Sequence, residues 1–92
     1  MNKDELRRCL RRELDIWSAK PYEALRTKLR DAVHYSVGEG PEWCQVEVML
    51  LESKAEYVHT TVMIDDGGWR AFVPLSTSFL THRDGRVDKS EV

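Results

Sequence analysis

Trp43-Cys44-Gln45-Val46-Glu47-Val48-Met49-Leu50-Leu51-Glu52 and Glu56-Tyr57-Val58-His59-Thr60-Thr61-Val62-Met63-Ile64-Asp65 lie on either side of Ser53-Lys54-Ala55, and their reading decides the fold. Both stretches are rich in β-branched and aromatic residues, and apolar side chains recur at every second position, the period of a strand. A three-residue link leaves room only for an antiparallel hairpin. Pairing Glu52 with Glu56 sets Leu50 against Val58, Val48 against Thr60, Val46 against Val62 and Cys44 against Ile64, because residues opposite each other share a face.

Asp65-Asp66-Gly67-Gly68 follows, and Asp-Gly is a strong hairpin signal. It predicts a further strand from Trp69 to about Ser76, with Ile64 against Trp69, Val62 against Ala71, Thr60 against Val73 and Val58 against Leu75. Pro74 donates no ladder hydrogen bond, which makes this strand an edge or ends it there. Upstream, Val33, Tyr35 and Val37 alternate with His34 and Ser36 in a short first strand, closed by the turn residues Gly38-Glu39-Gly40-Pro41-Glu42. The expectation is a four-stranded antiparallel meander.

Before residue 33 the period is that of a helix. Leu6, Leu10, Leu14 and Trp17 recur at spacings of four and three over Lys3 to Trp17, with Cys9 and Ile16 flanking the stripe, and Asn2 with Glu5 forms a capping box. Arg7, Arg8, Arg11, Arg12 and Asp15 make the opposite, solvated surface. Pro21 interrupts this helix and fits the first turn of a second one, whose stripe is Tyr22, Leu25, Leu29 and Ala32. The order of helix, helix and antiparallel meander resembles in outline the cystatin-like folds. That resemblance implies helix packed across a curved sheet; no motif of the cystatin inhibitors is present, so it assigns no residue a role.

The chain has 92 residues, 41% hydrophobic and 33% charged, which suits one α+β domain. The domain is expected over residues 1–83, with 84–92 as a polar, flexible tail. No apolar run approaches the ~20 residues of a membrane span, and the first residues lack the apolar stretch of a secretory signal. The expectation is therefore a cytoplasmic protein without membrane attachment. Residues 1–30 carry nine Lys/Arg against five Asp/Glu, and residues 31–92 five against eleven. The helices are basic and the sheet acidic, a polarity that attracts the two layers to each other and would steer an acidic partner to the helices. The four arginines lack interleaved aromatics and the chain as a whole is acidic, which argues against nucleic acid.

Catalytic signatures are missing. His34, His59 and His82 have no metal-site spacing, and no phosphate loop, nucleophile elbow or metalloprotease motif occurs, so neither metal nor cofactor is expected. Asp65 and Asp66 are explained by their turn. Cys44 with His34 would need an accessible thiol, whereas Cys44 falls on the core face. Cys9 and Cys44 read as small buried hydrophobes, able to pair only if the first helix meets the second strand.

The informative feature is the other sheet face. On it the register places Trp43, Met49, Leu51, Tyr57, Met63 and Phe72 together with Glu47, His59, Thr61 and Arg70. Two short helices cover one face of a sheet, not both, and a large apolar patch on a monomer marks an interaction site. Trp43, Met49, Leu51, Tyr57, Met63 and Phe72 are accordingly candidate interface residues, for a homodimer or another protein partner. The plainer alternative folds the segment around Phe79 and Leu80 back over that face. A ligand pocket built from Glu47, His59 and Arg70 is the competing functional reading, although an ordinary ion pair accounts for Glu47 and Arg70 without one.

Overall fold

The computed structural model describes residues 2–67 and 74–89. Two helices, α1 (Lys3–Ser18) and α2 (Tyr22–Lys28), precede five strands, β1 (Val33–Val37), β2 (Cys44–Ser53), β3 (Tyr57–Asp65), β4 (Leu75–His82) and β5 (Val87–Lys89), with one 3₁₀ turn at Gly40–Glu42. The strands form an antiparallel meander in chain order, β1-β2-β3-β4-β5. The α+β class is as expected; the sheet has five strands where four were expected.

α1 begins where the capping pattern places it. The Asn2 side chain accepts a hydrogen bond from the Glu5 amide at 2.9 Å, and its amide group donates to the Glu5 carboxylate at 3.0 Å, so two groups at the helix end are satisfied reciprocally. Leu6, Leu10 and Leu14 enter the core. Cys9, Glu13 and Trp17 follow at intervals of four, which puts them on one edge of the helix. Each meets β1 or β2: Cys9 meets Cys44, Glu13 and Trp17 both meet Tyr35. Glu13, on this edge, is buried, and Ile16, expected to flank the apolar stripe, is 49% exposed. α2 ends at Lys28, leaving Ala32 exposed outside it, and Tyr22 donates to the carbonyls of Lys54 and Ala55, which fastens α2 to the β2–β3 turn.

The core is the face on which Cys44, Val46 and Val48 of β2, Val58, Val62 and Ile64 of β3, and Phe79 of β4 meet both helices. The β2–β3 register is displaced by two residues from the expected one, with Val46 opposite Ile64 and Val48 opposite Val62. An even displacement keeps every side chain on its face. Between Leu50 and Glu52 the register shifts, which leaves Leu51 without a β3 partner, 55% exposed, and turns Glu52 to the face of His59.

β4 differs more. The partner of Ile64 is Leu75, of Val62 Thr77, of Thr60 Phe79 and of Val58 Thr81. The expected pairings of β3 with Trp69, Ala71 and Val73 involve residues outside the described set, and the expected contact of Leu75 with Val58 is replaced by Leu75 with Ile64. Pro74, expected to make its strand an edge or to end it, immediately precedes β4, a position where its missing amide costs no ladder bond. Phe79 is 1% exposed on the core face, so the segment around it does not fold over the other side. Asp84-Gly85 then makes the last turn. Gly85 has φ of 101°, its amide donates to His82 and the Arg86 amide to the Asp84 side chain. β5, within the expected tail, pairs with Phe79 to Thr81, and Lys89 reaches Asp15 of α1 at 3.4 Å.

Candidate functional site

The outer sheet face is assembled by the alternation that builds the core. Across it run Glu47 opposite Met63 opposite Ser76, then Met49 opposite Thr61 opposite Ser78, then Glu52 opposite His59 opposite Leu80, and Tyr57 opposite His82. Of the expected interface residues, Met49, Tyr57 and Met63 share this face and are half-buried. Trp43 lies just before β2, where its ring abuts Gly67, at φ 80° in the turn after β3. A Cβ at Gly67 would lie 2.9 Å from that ring, so only glycine allows the approach. Leu51 stands at the bulge, and Phe72 is outside the described residues. Leu80 was not among the candidates, because β4 was expected to end before it.

Glu47 and His59 belong to the same face but do not converge. Glu47 stands opposite Met63 and His59 is four residues further along β3, roughly 13 Å at the rise of a strand. Glu47 instead pairs with His34 of β1, Nε2 to Oε2 2.6 Å. Arg70 is outside the described residues. His34 lies on the outer face and Cys44 on the core face, so the histidine is not a base for that thiol.

Charged groups sit around the perimeter. His34 and Glu47 pair on β1 and β2; Tyr57 donates to Glu52 near the bulge, a bond that raises the tyrosine pKa. His82 contacts Asp88 at 2.8 Å and the Arg86 guanidinium at 3.2 Å. Asp65 closes the far end, accepting from the Gly67 amide at 2.8 Å as an aspartate in its own turn does. The middle, formed by Met49, Met63, Thr61, Ser78 and Leu80, has His59 beside Leu80 as its one titratable side chain.

A second cluster lies on the helix side. The Cys9 and Cys44 sulfurs are 2.9 Å apart and both thiols are buried. Burial, and then the bond to Cys9, push the Cys44 pKa up to about 12. Beside them Trp17 Nε1 donates to Tyr35 at 2.7 Å, and the Tyr35 hydroxyl donates to Glu13. Burial and the Glu13 bond raise the Tyr35 pKa. A cleft of about 440 Å³ opens over this cluster, lined by Glu5, Arg8, Cys9, Arg12, Glu13, Val37, Gly38 and Glu42. Gly38 has φ of 79°, and a Cβ there would run into the Glu42 carbonyl, so the wall of the cleft depends on glycine. The sequence brought both cysteines to the core; the four-residue spacing of Cys9, Glu13 and Trp17 is the signal that would have joined them to the polar network.

No family model, curated protein or solved structure matches the chain significantly. The cystatin-like resemblance therefore rests on layout alone, and function is argued from these two clusters. No described helix is long and apolar enough to cross a membrane.

Proposed function

We propose that this chain is a non-catalytic interaction module that pairs with a second copy of itself through the outer sheet face. The observation that carries this reading is the arrangement of that face, a largely apolar and hydroxyl-bearing centre of Met49, Met63, Thr61, Ser78 and Leu80 inside a rim of hydrogen-bonded polar pairs, His34 with Glu47 and His82 with Asp88. Interfaces are built this way, because a desolvated centre must contain few unpaired charges while the rim stays wet. Serines and threonines between the methionines keep the relief low, and flexible methionine side chains adapt to an identical surface. Two such sheets can stack about 10 Å apart, as sheets do in a sandwich.

Area sets the expected strength. Nine residues of β3 by five strands span roughly 30 by 19 Å, or on the order of 600 Å² per protomer. That is somewhat below the ~800 Å² per partner of a standard interface, so the dimer should be weak, with a Kd in the micromolar range. The reading keeps the cytoplasmic setting expected from the sequence. A ligand pocket built on Glu47 and His59 has no comparable support, since those side chains stand apart.

Sedimentation equilibrium across a concentration series tests the proposal. The expected mass rises from the 10.7 kDa protomer toward twice that value. Met63→Glu and Met49→Glu should each hold the protein at protomer mass while its circular dichroism is unchanged. A wild-type protein that stays monomeric at several hundred micromolar would refute the reading, as would a dimer that both variants leave intact.

A further inference from the structure

We propose that Cys9 and Cys44 form a reversible dithiol–disulfide site, which a small hydroperoxide oxidises through the cleft beside α1, locking that helix to β2. The site is on the helix side of the sheet and is independent of the outer face. Three observations carry it. The sulfurs are already 2.9 Å apart, against about 2.05 Å in a disulfide, so bond formation needs a movement under about 1 Å. The two residues come from elements 35 positions apart in the chain and meet only in the folded state, so the pair is a property of the fold. Cys9 also lines the cleft, whereas Cys44 is 0% exposed and does not.

That asymmetry assigns the roles. Cys9 is the attacking sulfur because it is the one a solute can approach. Arg8 and Arg12 border the same cleft together with Glu5, Glu13 and Glu42, so its lining is mixed in charge and the assignment of roles rests on access. Cys44 holds its proton, its pKa being pushed up by burial. The narrow approach to a sulfur only 2% exposed selects a molecule the size of hydrogen peroxide over a bulky disulfide.

The chemistry balances in two steps. The Cys9 thiolate attacks one peroxide oxygen and the O–O bond breaks. Cys9 becomes a sulfenic acid, and the other oxygen leaves as hydroxide and takes a proton to become water. Cys44 sulfur then attacks the Cys9 sulfur, the S–O bond breaks, and the departing hydroxyl leaves with the Cys44 proton as a second water. Two thiols have lost two protons and two electrons, and the peroxide has been reduced to two waters. A dithiol reductant reverses the change by thiol–disulfide exchange.

The product closes a loop of 36 residues between α1 and β2, counting Cys9 and Cys44. Constraining the unfolded chain this way should raise Tm by on the order of 10 °C.

The test treats the reduced full chain with one equivalent of hydrogen peroxide under native conditions. Expected are loss of 2 Da from the intact mass, a proteolytic fragment joining Cys9 to Cys44, a raised Tm, and reversal of all three by dithiothreitol. In Cys44→Ala, dimedone should trap a sulfenic acid on Cys9; in Cys9→Ala, Cys44 should resist peroxide. Two free thiols after native treatment would overturn the proposal, as would oxidation that begins only in urea or disulfides formed between chains. Dimedone on Cys44 rather than Cys9 would overturn the assigned roles. The wild-type mass and fragment decide the matter even if one alanine variant fails to fold.

Discussion

Val46, Val48, Val58 and Val62 on one face of β2 and β3 are at most 1% exposed, whereas Glu47, Met49, His59 and Met63, their neighbours on the other face, are half-buried. The same two strands therefore meet two different solvents. Towards the helices the sheet is closed by Leu6, Leu10, Leu14 and Leu25, and the surface excluded from water is aliphatic and aromatic. Away from them the centre is mixed and its charges are displaced to the rim. The contrast separates two kinds of demand on a sequence: one face must fill a volume, the other must remain presentable to water until something covers it.

The largest effect should come from emptying the filled face. Phe79→Ala removes a ring that is 1% exposed between β4 and the helices, and should cost about 3–5 kcal/mol in urea denaturation. A cost near 1 kcal/mol would mean that β4 does not close the core, and the contrast between the faces would lose its basis.

Polar groups inside the filled face come next. Tyr35→Phe deprives buried Glu13 of its donor and Trp17 of its acceptor, and should cost about 1–3 kcal/mol by the same measurement. Its pH profile is the sharper readout. The folded-state pKa of both Tyr35 and Cys44 is raised, so above the ordinary range of each group the folded chain holds protons that the unfolded chain has released. Stability should be full below about pH 8.5, the usual thiol pKa, and should fall as pH rises toward 12. Cys44→Ala should remove the earlier part of the fall, which begins near pH 9, and Tyr35→Phe the part beginning near pH 10. An alkaline profile unchanged in both variants would mean that these protons are not held by the fold.

On the outer face, truncation should matter little to the protomer. Met63→Ala, measured at submicromolar concentration where a weak dimer is dissociated, should cost less than Phe79→Ala, about 1 kcal/mol, because the side chain is only half-buried. A cost equal to that of Phe79→Ala would show that this face is closed within the single chain.

The two faces also differed in how well they could be read from sequence. Alternation in Cys44 to Leu50 and in Tyr57 to Ile64 specifies which side chains are buried, and it tolerates a register error of two residues because parity is what matters. The outer face depends on where strands start and stop. Pro74, which signals an edge strand or a strand end, stands immediately before β4; Asp84-Gly85 is the same dipeptide signal as Asp66-Gly67, and it marks the β4–β5 turn. Missing both omitted Leu80 and left β5 in the tail. The bulge at Leu51 had no signal in alternation, since an extra residue is visible only against its partner strand. Glu13 is buried although charged, because it shares the helix edge of Cys9 and Trp17.

The smallest expected effect tests how β5 is held. Lys89 and Asp15 join this three-residue strand to α1, with side chains 46% and 61% exposed. A pair so open to water and salt is worth little, so Lys89→Ala should change stability by less than about 0.5 kcal/mol, and less again in 1 M salt. Val87 is itself 36% exposed, so its burial adds little, and the ladder to Phe79, Leu80 and Thr81 is the main restraint. Amide exchange at Val87 to Lys89 should therefore proceed by local opening well below the global unfolding free energy, at the same rate in wild type and Lys89→Ala. If Lys89→Ala instead accelerates that exchange tenfold, α1 rather than β4 holds the strand, and the edge of the sheet is an extension of the helix layer.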